Sequence, residues 1–180
     1  RRGLTPLDAR HVSGFGPSSA ADARALVLGS LPGVASLNAV QYYAHPRNGF
    51  WPIMGTLVGA DPALPYPERL QRLIDAKIAL WDVFARAERP GSLDSAIVDA
   101  TAQVNDFAGF FARHRQVRTV LLNGGKAHAA FRRFVLPSLA VAPSIIALPS
   151  TSPANASHRL DMKTAAWREA LQAAGIEVLG

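Results

Sequence analysis

Four apolar runs punctuate the chain: ALVLGSLPG at 25–33, IALWDVF at 78–84, VRTVLLNGG at 117–125 and SIIALPSTSP at 144–153. Each is continuous rather than alternating, as in strands covered on both faces of a parallel sheet. All but IALWDVF close on Gly, Pro, Ser or Asn, and IALWDVF carries Asp82 near its end. Such residues stop a strand and leave polar groups at its carboxyl end.

Between the runs the period becomes helical. YPERLQRLIDA (66–76) brings Leu70, Leu73 and Ile74 together, with Pro67 and Glu68 suited to a first turn. DATAQVNDFAGFFARH (99–114) places Val104, Phe107 and Phe111 on one stripe. KAHAAFRRFVL (126–136) follows the third run. DMKTAAWREALQAAG (161–175) closes the chain, with Asp161 expected as its cap and Gly175 as its stop. This alternation predicts an α/β fold, a three-layer α/β/α sandwich around a four-stranded, mainly parallel sheet. No repeat or linker interrupts it. The expected organisation is a loose arm over 1–22, rich in Gly, Ser, Pro and Ala, and a single domain over 23–180.

Ligands of open α/β sheets bind beyond the carboxyl ends of the strands. GSLPG, WDV, LNGGK and LPSTSPANAS should therefore converge on one crevice. The insertion at 34–66 should line it too, and it carries the unusual stretch HPRNGFW (45–51). Pro46 removes a backbone donor there and Gly49 loosens the chain, so a shaped loop is expected.

Composition narrows the chemistry. The 180 residues contain no cysteine, which excludes disulfides, thiolate nucleophiles and cysteine metal sites. Nineteen Lys and Arg against thirteen Asp and Glu leave a formal charge of +6, which suits an anionic partner such as nucleic acid. No apolar run reaches the roughly 18 residues of a membrane helix. The basic N-terminus lacks the apolar core of a secretory signal, so a cytoplasmic protein is the default expectation. GSLPG is not a nucleophile elbow, because Leu31 stands where the serine belongs. There is no G-x-G-x-x-G and no P-loop. The histidines at 11, 45, 114, 128 and 158 form no helical metal-binding pair, so no metal is expected.

Together, GSLPGVASLNAVQYYAHPRNGFW and LPSTSPANAS resemble the two signature motifs of the uracil-DNA glycosylase superfamily. The resemblance spans about 25–175 and is greatest to the hypoxanthine-DNA glycosylase branch. It implies an enzyme that flips a nucleotide from DNA and hydrolyses its N-glycosidic bond, without a cofactor. The implied product is an abasic site, and the implied substrate is hypoxanthine in duplex DNA, bound by a monomer near the nucleoid. Two departures matter. Leu31 stands where the mismatch-specific branch has its water-holding Asn, and Leu31 cannot orient a water. Ser150 stands where the classical uracil enzymes have a His.

The burden of catalysis then falls on Asn48, whose amide can accept from a water and donate to sugar or base. Its alternative duty is to shape a turn beside Gly49. The resemblance casts Phe50 as the ring that stacks on the flipped base and Trp51 as packing. Leu31 would lie against the same base. Tyr43 either touches DNA or packs. Asp82 is placed to accept from N1–H of hypoxanthine, which adenine lacks, or serves as a structural carboxylate. Asn123 reads the same edge or closes the Gly124–Gly125 turn. Ser150, Ser152 and Asn155 offer small donors to DNA phosphates, and Arg47, Lys126 and His158 offer charge at the mouth. No lysine stands out as a nucleophile, so no strand cleavage is expected. The rivals are a uracil or mismatch glycosylase of the same fold, and a DNA-binding domain without chemistry.

Overall fold

The computed structural model describes residues 11–154 and 159–180. In chain order the elements are β1 (His11–Ser13), β2 (Ala25–Gly29), α1 (Val34–Ala39), α2 (Phe50–Val58), α3 (Tyr66–Asp75), β3 (Ile78–Asp82), β4 (Phe84–Glu88), β5 (Val98–Val104), α4 (Phe107–Arg113), β6 (Thr119–Asn123), α5 (Gly125–Ala130), β7 (Ser144–Leu148) and α6 (Leu160–Ala173).

The four expected strands form one parallel sheet in the order β3-β2-β6-β7. Its register aligns the strand ends: Gly29 faces Asp82 across β2 and β3, and Asn123 faces Leu148 across β6 and β7. Alternate residues of β2 enter opposite cores, so the whole strand is buried. Leu26 and Leu28 join Trp81, Phe107, Phe110 and Phe131 on one side. Ala25 and Val27 join Phe50, Ile53, Met54, Leu57 and Trp167 on the other. At about 25 cal/mol per Å² of apolar surface, aromatic and aliphatic side chains each contribute on the order of 1.5–3 kcal/mol when fully buried. The layers are thus those expected from the sequence.

Three local expectations are corrected. First, IALWDVF is not one strand. At Val83 the chain turns, held by Val83 N–H to the Gly29 carbonyl at 2.8 Å and Phe84 N–H to the Ser30 carbonyl at 3.1 Å. β4 then enters a second, antiparallel sheet of order β1-β4-β5. Second, the stretch expected as one helix over 99–114 divides. Its first part is strand β5, and the helix begins only at Phe107, where the Asp106 carboxylate caps Gly109 N–H at 2.9 Å. An Asp at that position gives the freed N–H groups a partner, and it starts the helix there. Third, the described part of the N-terminal arm is tied down. β1 pairs with β4, Ser18 and Leu80 exchange backbone hydrogen bonds of 2.8 and 2.9 Å, and the Phe15 carbonyl accepts from Trp81 Nε1 at 3.0 Å. A smaller difference concerns α6. Its cap is Arg159, Asp161 lies in the first turn, and Gly175 ends the region with φ +82°.

Candidate active site

A cavity of about 490 Å³ opens where all four parallel strands end. The β2 end and the GSLPG turn supply one wall, Asp82 and Asn123 the floor, the insertion loop Tyr42, Tyr43, His45 and Asn48, and the final loop Ser150 to Ala154. The two loops are joined directly by Gly49 N–H donating to the Thr151 carbonyl at 2.9 Å. The residues of HPRNGFW are therefore positioned by the same loop that carries STSPAN.

Asn48 is brought to the cavity. Its Oδ1 accepts from Phe50 N–H at 2.9 Å, and its own N–H donates to the His45 carbonyl at 2.9 Å. Asn48 therefore shapes the turn into α2. That bond also fixes the plane of its amide, while the oxygen keeps a second lone pair and Nδ2 its donors.

Phe50 does not reach the cavity. It is fully buried and packs among Tyr43, Trp51 and Trp167. It begins α2, so the helix turns its ring inward to the core. Tyr43 lines the cavity in its place, its ring tilted 32° to that of Phe50 with centroids 4.2 Å apart. Tyr43 adopts φ +55°, a left-handed conformation that costs a bulky residue on the order of 1 kcal/mol. Its neighbour anchors the loop on both sides. Tyr42 donates its hydroxyl to the Gly16 carbonyl at 2.7 Å, and its carbonyl accepts from Trp51 Nε1 at 2.9 Å. Trp51 packs, as expected.

Asp82 is buried at the floor, 4% exposed. Its Oδ2 has no hydrogen-bond partner among the described residues. Burial pushes its carboxyl up to about 7, against the pull of the Arg89 guanidinium and with a further push from Asp94. Burial, with the Asp82 charge adding to it, also lifts the Tyr43 phenol well above its usual range. Gly29 is what lets these groups approach. A Cβ there would stand 2.6 Å from Asp82 Oδ1 and 2.8 Å from the Tyr43 hydroxyl.

Asn123 lines the cavity, and its amide holds Thr151. Nδ2 donates to Thr151 Oγ1 and Oδ1 accepts from Thr151 N–H, both at 3.0 Å. It staples the final loop to the end of β6. Leu31, Ser150 and Ser152 are also in the wall. Ser150 Oγ accepts from Ser152 N–H at 3.1 Å, and Ser152 Oγ from Ala154 N–H at 3.2 Å, so the serines fold the loop back on itself. Arg47 is exposed at an adjoining hollow of about 220 Å³ that shares Asn48, Thr151 and Ser152. Lys126 is not at the mouth. It is paired with Asp99 on β5 and lies over the Phe84 ring, because α5 leads it away along the second sheet. Asn155 and His158 lie outside the described residues.

Lining residues that escaped the sequence reading include Thr151, Arg89 and Asp94. Thr151 sits inside STSPAN, one residue from the serines singled out there. Arg89 and Asp94 follow β4, in a segment with no motif and no periodic signal, and only the turn at Val83 carries them back to the site.

A family model for the uracil DNA glycosylase superfamily matches residues 15–173. The chain belongs to that superfamily. Two curated relatives, both called hypoxanthine DNA glycosylase, come from Methanosarcina barkeri and Methanosarcina acetivorans. The first is 39% identical over 115 residues, which is 63% of this chain and 72% of the relative. The second is 40% identical over 103 residues, 57% of this chain and 64% of the relative. A solution NMR structure of a Methanosarcina acetivorans protein, described as a candidate uracil DNA glycosylase, superposes with a TM-score of 0.75 at 30% identity. The superposition covers 92% of this chain and 99% of that one. Within this superfamily, the present chain puts Tyr43, Asn48 and Asp82 around one cavity with no polar side chain at Leu31.

Proposed function

We propose that this protein is a monofunctional DNA glycosylase that removes hypoxanthine from DNA. The observation that carries this reading is the meeting of Tyr43, Asn48 and Asp82 in one cavity at the sheet's carboxyl end. The two relatives called hypoxanthine DNA glycosylase support it.

A nucleotide flipped from the duplex enters the cavity, and its base lies against Tyr43. Ionised Asp82 accepts the N1–H of hypoxanthine, a proton that adenine does not carry. Asn48 holds a water below the sugar. The C1′–N9 bond breaks with its electron pair on the base, the water oxygen bonds to C1′, and the water's proton passes to solvent or the departing base. An abasic site remains. The small loop donors of Ser150 and Ser152, with Arg47, face the phosphates of a double strand. The enzyme acts as a monomer, and its working compartment is the cytoplasm, at the nucleoid. Holding Asp82 as an acceptor makes excision rise with pH through about 7, the value to which burial carries that carboxyl.

The test is excision from duplexes carrying inosine, uracil or xanthine, with alkali cleaving the abasic sites. Inosine is cut first. Uracil cut first overturns the substrate assignment, and salt-sensitive binding without cutting overturns the enzymatic one. Asn48→Ala lowers excision by about 100-fold or more, the scale for one key polar group, with DNA binding kept. A rate within about threefold of the parent removes Asn48 from the mechanism.

A further inference from the structure

The described side chains contain four buried polar atoms without a hydrogen-bond partner, and three belong to residues lining the cavity: Tyr43 Oη, Asp82 Oδ2 and Arg89 Nε. Arg89 has no part in the mechanism above. It extends from the end of β4, and its side chain is 1% exposed. One terminal nitrogen donates to the Leu31 carbonyl at 3.1 Å and also to the Pro32 carbonyl. The other lies 3.8 Å from Asp94 Oδ1, the oxygen that accepts from Ser30 Oγ at 2.5 Å. Arg89 and its partner thus hold Ser30, Leu31 and Pro32, three consecutive residues of the turn that walls the cavity.

A neutral donor can brace a turn. A buried guanidinium is a costly way to do it, because desolvating a cation costs several kcal/mol unless its charge is used. Here the charge has a use. Among the described lining residues, Arg89 is the one Lys or Arg, and His45 is the one histidine. The facing acids are Asp82 from the end of β3 and Asp94 from the turn after β4, with the Tyr43 phenol from the insertion loop. Two carboxylates and one cation leave the cavity negative. Breaking the glycosidic bond adds a further negative charge on the base. Without a fixed cation, those charges repel.

We propose that Arg89 is a positioning residue for base excision. It holds the Ser30–Pro32 turn against the cavity and supplies the fixed positive charge that balances Asp82 and Asp94 as the base departs. This role rests on the glycosylase reading above.

The test compares Arg89→Met, Arg89→Lys and Asp94→Asn in single-turnover excision of hypoxanthine across pH, with thermal unfolding to establish folding. Arg89→Met slows excision by about tenfold or more, the scale of a lost supporting group. Its rise with pH moves upward by about half a unit or more, because removing a cation disfavours the ionised acid. Asp94→Asn moves the same rise downward. Arg89→Lys keeps the parent's pH position but stays slower, since one ammonium has no planar fork to face the two carbonyls on one side and Asp94 on the other. Opposite displacements in Arg89→Met and Asp94→Asn are a signature that general damage does not produce. Equal losses in Arg89→Met and Arg89→Lys without displacement assign Arg89 to bracing alone and overturn the proposal. If Arg89→Met does not fold, an unmoved rise in Asp94→Asn overturns it by itself. A parent with no excision of any base points instead to failure of the glycosylase reading.

Discussion

Asp82→Asn is expected to raise stability at neutral and alkaline pH while impairing excision. The substitution keeps the shape of the side chain and removes a carboxylate that is almost wholly buried, with Oδ2 unpartnered among the described residues. In the folded protein that acid keeps its proton up to about 7, against 3.8 when exposed. Between those values the folded state binds more protons than the unfolded chain. Parent stability therefore falls as pH rises through this window and levels off above it. At 1.36 kcal/mol per unit, going from about pH 5 to about pH 8 lowers the parent's stability by about 2–3 kcal/mol through this one group. The asparagine has no proton to lose. The stability difference between the two proteins should thus shift by about 2–3 kcal/mol in favour of Asp82→Asn over that interval. Urea unfolding followed by fluorescence reads this directly, because Trp51, Trp81 and Trp167 are all buried. Excision of hypoxanthine falls in the same variant by about tenfold or more, through loss of a charged acceptor. A difference constant to about 0.5 kcal/mol across the interval would refute the buried-carboxylate argument, as would one moving the other way.

Three further outcomes follow from the same geometry. Gly29→Ala forces a methyl between Asp82 and the Tyr43 hydroxyl, so stability drops by about 1–3 kcal/mol and excision falls with it; unchanged melting and activity refute the close approach. Asn123→Ala leaves Thr151 N–H unpaired and costs about 1–3 kcal/mol in urea unfolding, while Thr151→Val costs less because it keeps the backbone bond. Lys126→Ala leaves excision within about twofold of the parent and changes stability by less than about 1 kcal/mol, as for an exposed ion pair; a larger loss of DNA binding returns Lys126 to the mouth.

Much of this architecture was legible in the sequence. Continuous apolar runs broken by Gly, Pro or polar residues suit strands of a parallel sheet, and in such a sheet their carboxyl ends must meet; β2 and β3 are buried along their length, while the edge strand β7 stays partly exposed. That reasoning places Asp82, Asn123 and the serine loop at one crevice with no knowledge of a side-chain contact. The insertion at 34–66 brings HPRNGFW to the same crevice, and the resemblance to the glycosylase motif singles out Asn48 within it. What the sequence does not reveal is which ring turns toward the cavity. Tyr43 and Phe50 are both aromatic and seven residues apart. Only the start of α2 at Phe50, and the left-handed backbone at Tyr43, decide that one packs and the other faces the site.

The sequence by itself determined the layers, the four-stranded parallel sheet and the end of it where the cavity opens, because these follow from local periodicity and chain connectivity. The tertiary structure alone decided the electrostatics. Arg89 and Asp94 lie well over fifty residues from the turn they hold. They reach it because the chain leaves one sheet at Val83 for another. Burial, which no residue carries in its own identity, then turns an ordinary aspartate into an acid poised near neutrality.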